Sequence, residues 1–312
     1  EKFYLFLEEQ KVKMMKNAIV AQSGGPTTAI NASLAGVIKG CLESHEIDVL
    51  YGALNGVEGL MDERLVNLTD IFDHNEENLN VLKLTPAMYL GSCRRKLKDV
   101  DQDSSEYDII INIFRKYHIH YFFYIGGNDS MDTVGKMSRY VKEHQMDVKV
   151  IGIPKTIDND LVVTDHTPGF GSAARYVAAS VLEMAHDTYI YNTKSVLIAE
   201  IMGRDAGWLT AASVLARNSY SRAPHLIYLP EHPFSKEQFI EDIKAQFKQR
   251  EHIVIAVSEG LRDVDGHYIS AETAAVDAFG HATLSGTGKC LEGLVAEKFG
   301  CKVRSVEINV LQ

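Results

Sequence analysis

The chain has 312 residues and 42 acidic against 32 basic side chains, so its formal net charge is −10. This length allows two domains and a large core. The acidic balance argues against a broad nucleic-acid surface, which needs clustered Lys and Arg. No apolar run is long enough to span a membrane or to form a signal peptide. The four cysteines lack metal-ligand spacing, which fits reduced thiols in a cytoplasmic protein.

The first predicted elements enclose a glycine turn. Residues 1–16 differ in pattern from the rest of the chain and are assigned as an N-terminal extension. Residues 17–23 are strand-like, Gly24 and Gly25 form a turn, and residues 29–42 predict a helix with an apolar face. A glycine turn between a strand and a helix is a candidate phosphate site, although a plain tight turn has the same pattern.

A second glycine turn follows the most apolar strand of the chain. A helix is predicted at residues 106–118, and the aromatic run after it ends abruptly at Gly126-Gly127. We expect Ser130 to cap a helix over residues 131–144. Two glycines let the backbone approach a ligand and turn its N–H groups toward phosphate. Alone this signal is weak, because many α/β proteins carry such a turn.

The segment after the next strand strengthens the prediction. Residues 148–154 form an apolar strand that runs directly into Lys155-Thr156-Ile157-Asp158-Asn159-Asp160. Strand ends in open parallel sheets face a common crevice, so we expect these side chains beside the phosphate site. A surface turn could contain the same residue types. However, a Lys and two carboxylates after an apolar strand are unfavourable unless they are paired or used.

The second half repeats the alternation of strands and helices. Strands are predicted at 194–201, 226–229, 253–257 and 303–308, and helices at about 172–188, 235–250 and 289–299. Met202-Gly203-Arg204 and Glu259 again follow strand ends. The alternation predicts an α/β fold of doubly wound, mainly parallel, Rossmann-like sheets in two domains. A composition break places the domain boundary between residues 168 and 169. The cations Arg94-Arg95-Lys96 form either a solvated face or a phosphate-facing loop.

Taken together, seven segments resemble the phosphofructokinase family, and within it the pyrophosphate-dependent 6-phosphofructokinases. In order, they are SGGPTTAINASLAGV, LGSCRRK, IGGNDS, PKTIDND, TPGFGSAARY, IMGRDAGWL and VSEG. The resemblance implies transfer of a phosphoryl group from pyrophosphate to the 1-hydroxyl of fructose 6-phosphate, a reversible step of glycolysis and gluconeogenesis. It also implies a donor domain at 17–168, a fructose 6-phosphate domain at 169–312 and an active site in the cleft between them. On this resemblance, we expect the C-terminal part of the family fold to be missing from these 312 residues.

The resemblance also implies roles for individual residues. Asp158 would be the general base, with Lys155 and Asp129 as further catalytic residues. The sugar phosphate would be held by Thr156, Ile157, Asp158, Asp160, Met202, Gly203, Arg204 and Glu259. The donor would be held by Gly24, Gly25, Arg94, Gly126 and Gly127. Arg304 matches an arginine that reaches the sugar phosphate of a neighbouring subunit, so a homodimer or homotetramer is expected.

The choice of donor depends on Asp129 and Lys155. ATP-using relatives carry a glycine where this chain has Asp129, and a small residue where it has Lys155. A carboxylate ~4 Å from a phosphate, at an effective dielectric near 20, contributes about 4 kcal/mol of repulsion. We therefore expect Asp129 to exclude ATP while Lys155 attracts the shorter pyrophosphate. Asn128 replaces an Asp near Mg²⁺ in many relatives, and a neutral amide is a weaker ligand for this cofactor.

Other interpretations stay open. An inactive or regulatory family member would bind sugar phosphate without chemistry, for which Asn128 and the early C-terminus are the motivation. Kinases of sedoheptulose 7-phosphate, or kinases using ATP, would share the scaffold.

Overall fold

The computed structural model describes residues 16–272 and 286–311. It divides into two compact units, the first ending at Lys155 and the second beginning at Thr156. The division falls earlier than the 168/169 boundary expected from composition. After this division, the Asn159 side chain accepts from the amide of Thr167 at 2.9 Å and donates to the carbonyl of Asp165 at 3.1 Å. These bonds fold the segment after Lys155 onto itself within the second unit.

The first unit is a five-stranded sheet flanked by helices. Its strands are β1 (Asn17–Gln22), β2 (Leu50–Ala53), β3 (Leu65–Asn67), β4 (Ile119–Gly126) and β5 (Lys149–Pro154). Its helices are α1 (Ile30–Leu42), α2 (Gly56–Met61), α3 (Leu68–Phe72), α4 (Glu76–Leu84), α5 (Ser105–Lys116) and α6 (Asn128–Glu143). The strand order is β3-β2-β1-β4-β5, with every pair parallel except the antiparallel edge pair β2–β3.

Both faces of this sheet are buried, which is why its central strands are continuous apolar runs. On β4, Phe122 and Tyr124 pack with α2, α5 and α6, while Ile125 lies on the opposite face with α1, α3 and α4. Strand order reverses between β1 and β4, since the chain continues from β1 to β2 on one side and from β4 to β5 on the other. Ligands of doubly wound sheets bind outside the carboxyl ends of strands at such a reversal.

The second unit is a four-stranded, all-parallel sheet in the order β7-β8-β6-β9. Its strands are β6 (Ser195–Ile201), β7 (Leu226–Tyr228), β8 (His252–Ser258) and β9 (Lys302–Glu307). Its helices are α7 (Phe170–Tyr189), α8 (Trp208–Ala212), α9 (Lys236–Phe247) and α10 (Thr287–Phe299), with 3₁₀ turns at Ser213–Ala216, Ile269–Glu272 and Asn309–Leu311. Helices α7 and α8 cover one face of the sheet, and α9 and α10 cover the other.

The sequence predicted this architecture, and the α/β class with mainly parallel sheets is confirmed. Ser235 caps α9, because its hydroxyl accepts from the amide of Gln238. The predicted cap at Ser130 is wrong. Helix α6 begins earlier, at Asn128, with Gly127 as its N-cap, and Ser130 is buried in the first turn. The glycine turn itself therefore starts the helix, and no side chain is needed to cap it.

Residues 62–105 are rich in polar side chains, which is typical of loops and short elements. They contain the edge strand β3 and the short helices α3 and α4. All but the last residue of the predicted N-terminal extension lie outside the described residues. No helix in the described ranges combines the length and the apolar composition needed to cross a bilayer.

Candidate active site

The two glycine turns of the first unit lie against each other at the carboxyl ends of β1 and β4. Gly24 has φ +88°, and a Cβ added to it would lie 3.3 Å from the amide nitrogen of Gly127. The amide of Lys155 donates to the carbonyl of Gly126 at 2.8 Å. A Cβ on Gly25 would lie 4.0 Å from the ammonium nitrogen of Lys155. The structure thus gathers four predicted donor-binding glycines and Lys155 in one place.

Gly126 shows why this turn needs a glycine. A Cβ at this position would lie 2.1 Å from the hydroxyl of Ser130 and 2.7 Å from the carbonyl oxygen of Ser23. Any side chain would force apart the end of β1 and the first turn of α6. With glycine here, the N-terminus of α6 keeps its free amide groups next to the Gly24 turn, and such amides bind anions.

The loop that carries Arg94 is attached to the same turns by two serines. The Ser92 hydroxyl donates to the carbonyl of Gly24 at 2.7 Å, and the Ser23 hydroxyl donates to the carbonyl of Cys93 at 2.8 Å. Arg94 is the next residue along the chain and is exposed. The predicted donor-binding residues of the LGSCRRK segment and of the first glycine turn are therefore adjacent.

Two buried side-chain amides, those of Gln22 and Asn31, bond the backbone just before this loop. The Gln22 side chain accepts from the amide of Leu90 at 3.0 Å and donates to the Asn31 side chain at 3.1 Å. Asn31 also accepts from the amide of Tyr89 at 3.0 Å. Both side chains are fully buried. Sequence reasoning missed this pair, because Gln22 and Asn31 lie in stretches that have the pattern of an ordinary strand and helix.

The cations Arg95 and Lys96 are paired with different carboxylates. Arg95 bonds the carboxylate of Glu106, and Lys96 lies 3.0 Å from the carboxylate of Asp129. The Lys96 and Asp129 side chains are about half exposed, at 47% and 53%. The pattern of three cations therefore does not stand as one phosphate-facing run. Lys96 instead places a positive charge beside the residue expected to repel ATP.

In the second unit, the carboxylate of Glu259, which follows β8, bonds the backbone that follows β6. Its Oε1 accepts from the amides of Gly203 at 3.3 Å and Arg204 at 3.2 Å, and its residue is only 9% exposed. Arg204 adopts φ +49°, and a Cβ on Gly260 would lie 1.7 Å from the Arg204 carbonyl oxygen. Burial raises the pKa of Glu259, and the nearby charge of Asp158 raises it further, while the two amides lower it.

The segment between Lys155 and Asp160 is ordered by local bonds. The amide of Asp158 donates to the Thr156 hydroxyl at 3.0 Å, and Ile157 packs on the core of the second unit. Asp160 is exposed, whereas Asn159 between the two acids is 7% exposed and adopts φ +60°. Asn159 fixes the loop and was missed as a supporting residue.

Comparison with known proteins decides the family. The model of the phosphofructokinase family matches residues 17–307. The chain belongs to the phosphofructokinase family. It is 40% identical over 299 residues to pyrophosphate–fructose 6-phosphate 1-phosphotransferase of Halomonas elongata, covering 95% of this chain and 70% of that protein. It is 42% identical to the enzyme of the same name from Rhodospirillum rubrum, covering 94% of this chain and 72% of that protein.

A solved structure of the family has the same fold. The crystal structure of pyrophosphate-dependent phosphofructokinase from Nitrosospira multiformis superposes with a TM-score of 0.79 at 34% identity, covering 95% of this chain and 70% of that one. The phosphofructokinase assignment inferred from the seven segments is therefore confirmed. The individual roles of the site residues stay predictions.

The expected Mg²⁺ cofactor has suitable donors at the start of α6. Asn128 and Asp129 are both exposed in its first turn, and they offer an amide oxygen and a carboxylate beside the glycine turns. Mg²⁺ binds through one or two carboxylates plus substrate phosphates and keeps several waters, so this set fits. Elsewhere in the described ranges, Asp263, Asp265 and His267 form an acidic group that could hold a metal. The Asp263 carboxylate in this group already accepts from the amides of Asp265 and His267.

Arg304 is exposed on β9, where its guanidinium lies 3.4 Å from the carboxylate of Asp187. Its expected role toward a neighbouring subunit stays a prediction.

Proposed function

We propose that this protein transfers a phosphoryl group from pyrophosphate to the 1-hydroxyl of fructose 6-phosphate, forming fructose 1,6-bisphosphate and phosphate. The observation that carries the proposal is the identity of 40–42% to two phosphotransferases of that name over nearly the whole chain. The reaction is readily reversible, because pyrophosphate and fructose 1,6-bisphosphate have similar phosphoryl-transfer potentials. Phosphoryl transfer needs little covalent chemistry from the protein, so positioning and charge stabilisation should dominate.

On the acceptor side, Asp158 is the general base for the sugar 1-hydroxyl. Its charge already raises the pKa of Glu259, so the two carboxylates belong to one electrostatic group. Glu259 accepts from sugar hydroxyls with the oxygen positions that its backbone amide bonds leave open. Thr156, Ile157, Asp160, Met202, Gly203 and Arg204 complete the sugar phosphate site. The exposed Arg204 guanidinium supplies positive charge for the 6-phosphate.

On the donor side, Gly24, Gly25, Gly126 and Gly127 offer backbone N–H groups, and Arg94 and Lys155 add cations. The ammonium nitrogen of Lys155 lies close to the glycine turns, because a Cβ added to Gly25 would be 4.0 Å from it. A cation here stabilises the charge on the phosphoryl group in transit. When bound, Mg²⁺ neutralises pyrophosphate charge, and Asn128 and Asp129 would hold it.

Donor choice rests on Asp129, with Lys155 favouring the compact donor. The ion pair with Lys96 reduces the repulsion that an isolated Asp129 would exert. We therefore expect discrimination against ATP to come from a charge pair, and to be smaller than the Coulomb figure for a bare carboxylate.

The deciding experiment is a coupled assay of fructose 1,6-bisphosphate formation with each donor. We expect turnover with pyrophosphate and little or none with ATP at equal concentration. Turnover with ATP alone would refute the donor assignment. Binding of fructose 6-phosphate without turnover by either donor would instead support a regulatory role. Parallel reactions with sedoheptulose 7-phosphate establish whether the acceptor site distinguishes sugars that differ by one carbon.

We also propose a homodimer or homotetramer in the cytoplasm. A site completed by Arg304 of a neighbouring subunit requires association. The substrates are phosphorylated metabolites, and Cys41 and Cys93 are free thiols.

A further inference from the structure

Glu200 is a buried carboxylate that none of the proposed catalytic roles uses. It lies near the end of β6 and is 3% exposed. Its Oε1 accepts from the amide of Gly286 at 3.1 Å, and its Oε2 accepts from the amide of Gly288 at 2.6 Å. These amides belong to the start of α10, where a negative charge is favoured by the helix dipole. Glu200 therefore attaches the first turn of α10 to the sheet.

The same turn of α10 also holds the loop that carries Glu259. The Thr287 hydroxyl, fully buried, donates to the carbonyl of Glu259 at 2.9 Å. The amide of Glu259 donates to the carbonyl of Ile201 at 3.0 Å. An uninterrupted series of bonds thus runs from Glu200 through α10 and Thr287 to Glu259, and from the Glu259 carboxylate to the amide of Gly203.

Stability alone does not favour a carboxylate at this position. The pKa of Glu200 is raised to about 7, chiefly by burial and also by the charges of Glu307 on β9 and of Glu259 after β8, with the two amide bonds acting in the opposite direction. A buried carboxyl with a raised pKa destabilises the folded state when it is ionised. The Glu200 carboxylate nevertheless packs closely against the start of α10. A Cβ added to Gly288 would lie only 3.1 Å from Glu200 Oε2, so there is little room for a side chain there.

We propose that Glu200 and Thr287 are positioning residues for the sugar phosphate site: through the start of α10 they hold Glu259 in the orientation that binds the sugar hydroxyls. This inference rests on the proposed role of Glu259 as a sugar ligand. Neither residue touches the substrate, and both act through the strand ends that Glu259 joins.

The test compares substitutions at both ends of this series in the intact protein. Glu200→Gln keeps the shape but can accept only one of the two amide bonds, and Thr287→Val keeps the shape without the hydroxyl. We expect each to raise the fructose 6-phosphate KM about tenfold, the effect of one lost bond to a charged or buried group. The pyrophosphate KM should be unchanged. Thr287→Ser retains the hydroxyl and should restore the wild-type KM.

Glu307→Gln alters a carboxylate near Glu200 but removes neither of the amide bonds to α10, so it is the matched control and should leave the fructose 6-phosphate KM unchanged.

Binding measured by calorimetry with fructose 6-phosphate alone separates this inference from the proposed function. If the wild type does not turn over pyrophosphate, the proposed function fails, while weaker sugar phosphate binding by Thr287→Val, restored in Thr287→Ser, still supports the positioning role. Equal binding by the wild type, Glu200→Gln and Thr287→Val would overturn it. So would an equal loss in Thr287→Ser and Thr287→Val, or a parallel rise in both substrate KM values. Should Glu200→Gln fail to fold, the Thr287 pair decides.

Discussion

In the first unit, the glycine turns after β1 and β4 are shaped by close backbone contacts, and their supporting side chains are neutral amides and hydroxyls. In the second unit, the strand ends are held by the buried carboxylates Glu200 and Glu259, which accept from backbone amides. The first arrangement leaves N–H groups available for an anionic donor. The second arrangement consists of carboxylates. A carboxylate can accept hydrogen bonds from sugar hydroxyls, but when it is buried its charge must be stabilised by other hydrogen bonds. Under the proposed function, the two substrates would therefore meet sites supported in opposite ways.

The largest expected effect comes from removing the proposed general base, Asp158. Asp158→Asn keeps the shape of the side chain but cannot take the proton, so we expect kcat to fall by about 10²–10⁴-fold, the range of general-base catalysis. The Kd for fructose 6-phosphate, measured by calorimetry, should change little. Asp160→Asn, two residues along the same segment, should affect the sugar phosphate KM more than kcat. A kcat within tenfold of wild type for Asp158→Asn would show that Asp158 is not the base.

The next effect concerns Glu200 and the pH dependence of the free energy of unfolding. The pKa of Glu200 is raised to about 7 from 4.5, so between these pH values the folded state binds more protons than the unfolded state. Its contribution to stability is fully present below pH 4.5 and is lost as pH rises through 7. The wild type should therefore lose about 2–3 kcal/mol relative to Glu200→Gln across that window.

Unfolding of both proteins in urea at a series of pH values measures this difference. A difference that stays constant from pH 4.5 to 7 would mean that Glu200 titrates normally. Glu307→Gln serves as the control, because it removes one of the neighbouring charges that raise the pKa of Glu200 and should reduce the slope without abolishing it.

A smaller effect is expected from adding one methyl group to the donor turn. Gly126→Ala forces a Cβ against the Ser130 hydroxyl and the Ser23 carbonyl, so it should destabilise the first unit by about 1–3 kcal/mol and raise the pyrophosphate KM. Gly135→Ala is the matched control in the middle of α6, where an added Cβ meets nothing within 4 Å. It should stabilise the helix by about 0.5–1 kcal/mol. Equal melting temperatures for the two variants, measured by calorimetry, would contradict the packing argument.

The contrast between the two units also explains which features were predictable. The glycine turns, the strand alternation and the segment from Lys155 to Asp160 are written in neighbouring residues, so the sequence predicted them. The helix start at Asn128 was missed because Ser130 has the chemistry of a cap, while the tight contact of Gly126 with Ser130 buries that side chain. Local propensity was overruled by packing between two turns.

The supporting residues could not be predicted, because their partners are distant in the chain. Glu200 bonds amides 86 and 88 residues away, and the Gln22 side chain meets Leu90 68 residues away. Glu200 is the one charged residue in the apolar run of β6, which indicates a partner, but the local sequence does not identify that partner. The Lys96–Asp129 pair was missed for a related reason. Three adjacent cations suggested one shared role, whereas the fold gives Arg95 and Lys96 different carboxylates.

The smallest expected effect tests how far Lys96 screens Asp129. Asp129→Gly should raise ATP affinity about fivefold, the scale of an exposed charge interaction near 1 kcal/mol, and not the thousandfold of a bare carboxylate. Lys96→Met leaves Asp129 unpaired, so it should weaken ATP binding further, and this loss should diminish when Asp129 is also Gly.

Asp132→Asn, which removes a neighbouring acid of α6 that pairs with Lys136, is the control and should leave ATP affinity unchanged. Nucleotide Kd values at two salt concentrations measure the coupling, because exposed charges are screened within about 8 Å at physiological ionic strength. An ATP Kd that is the same for the wild type and Asp129→Gly would remove Asp129 from donor selection, leaving Lys155 and the glycine turns as the groups that favour pyrophosphate.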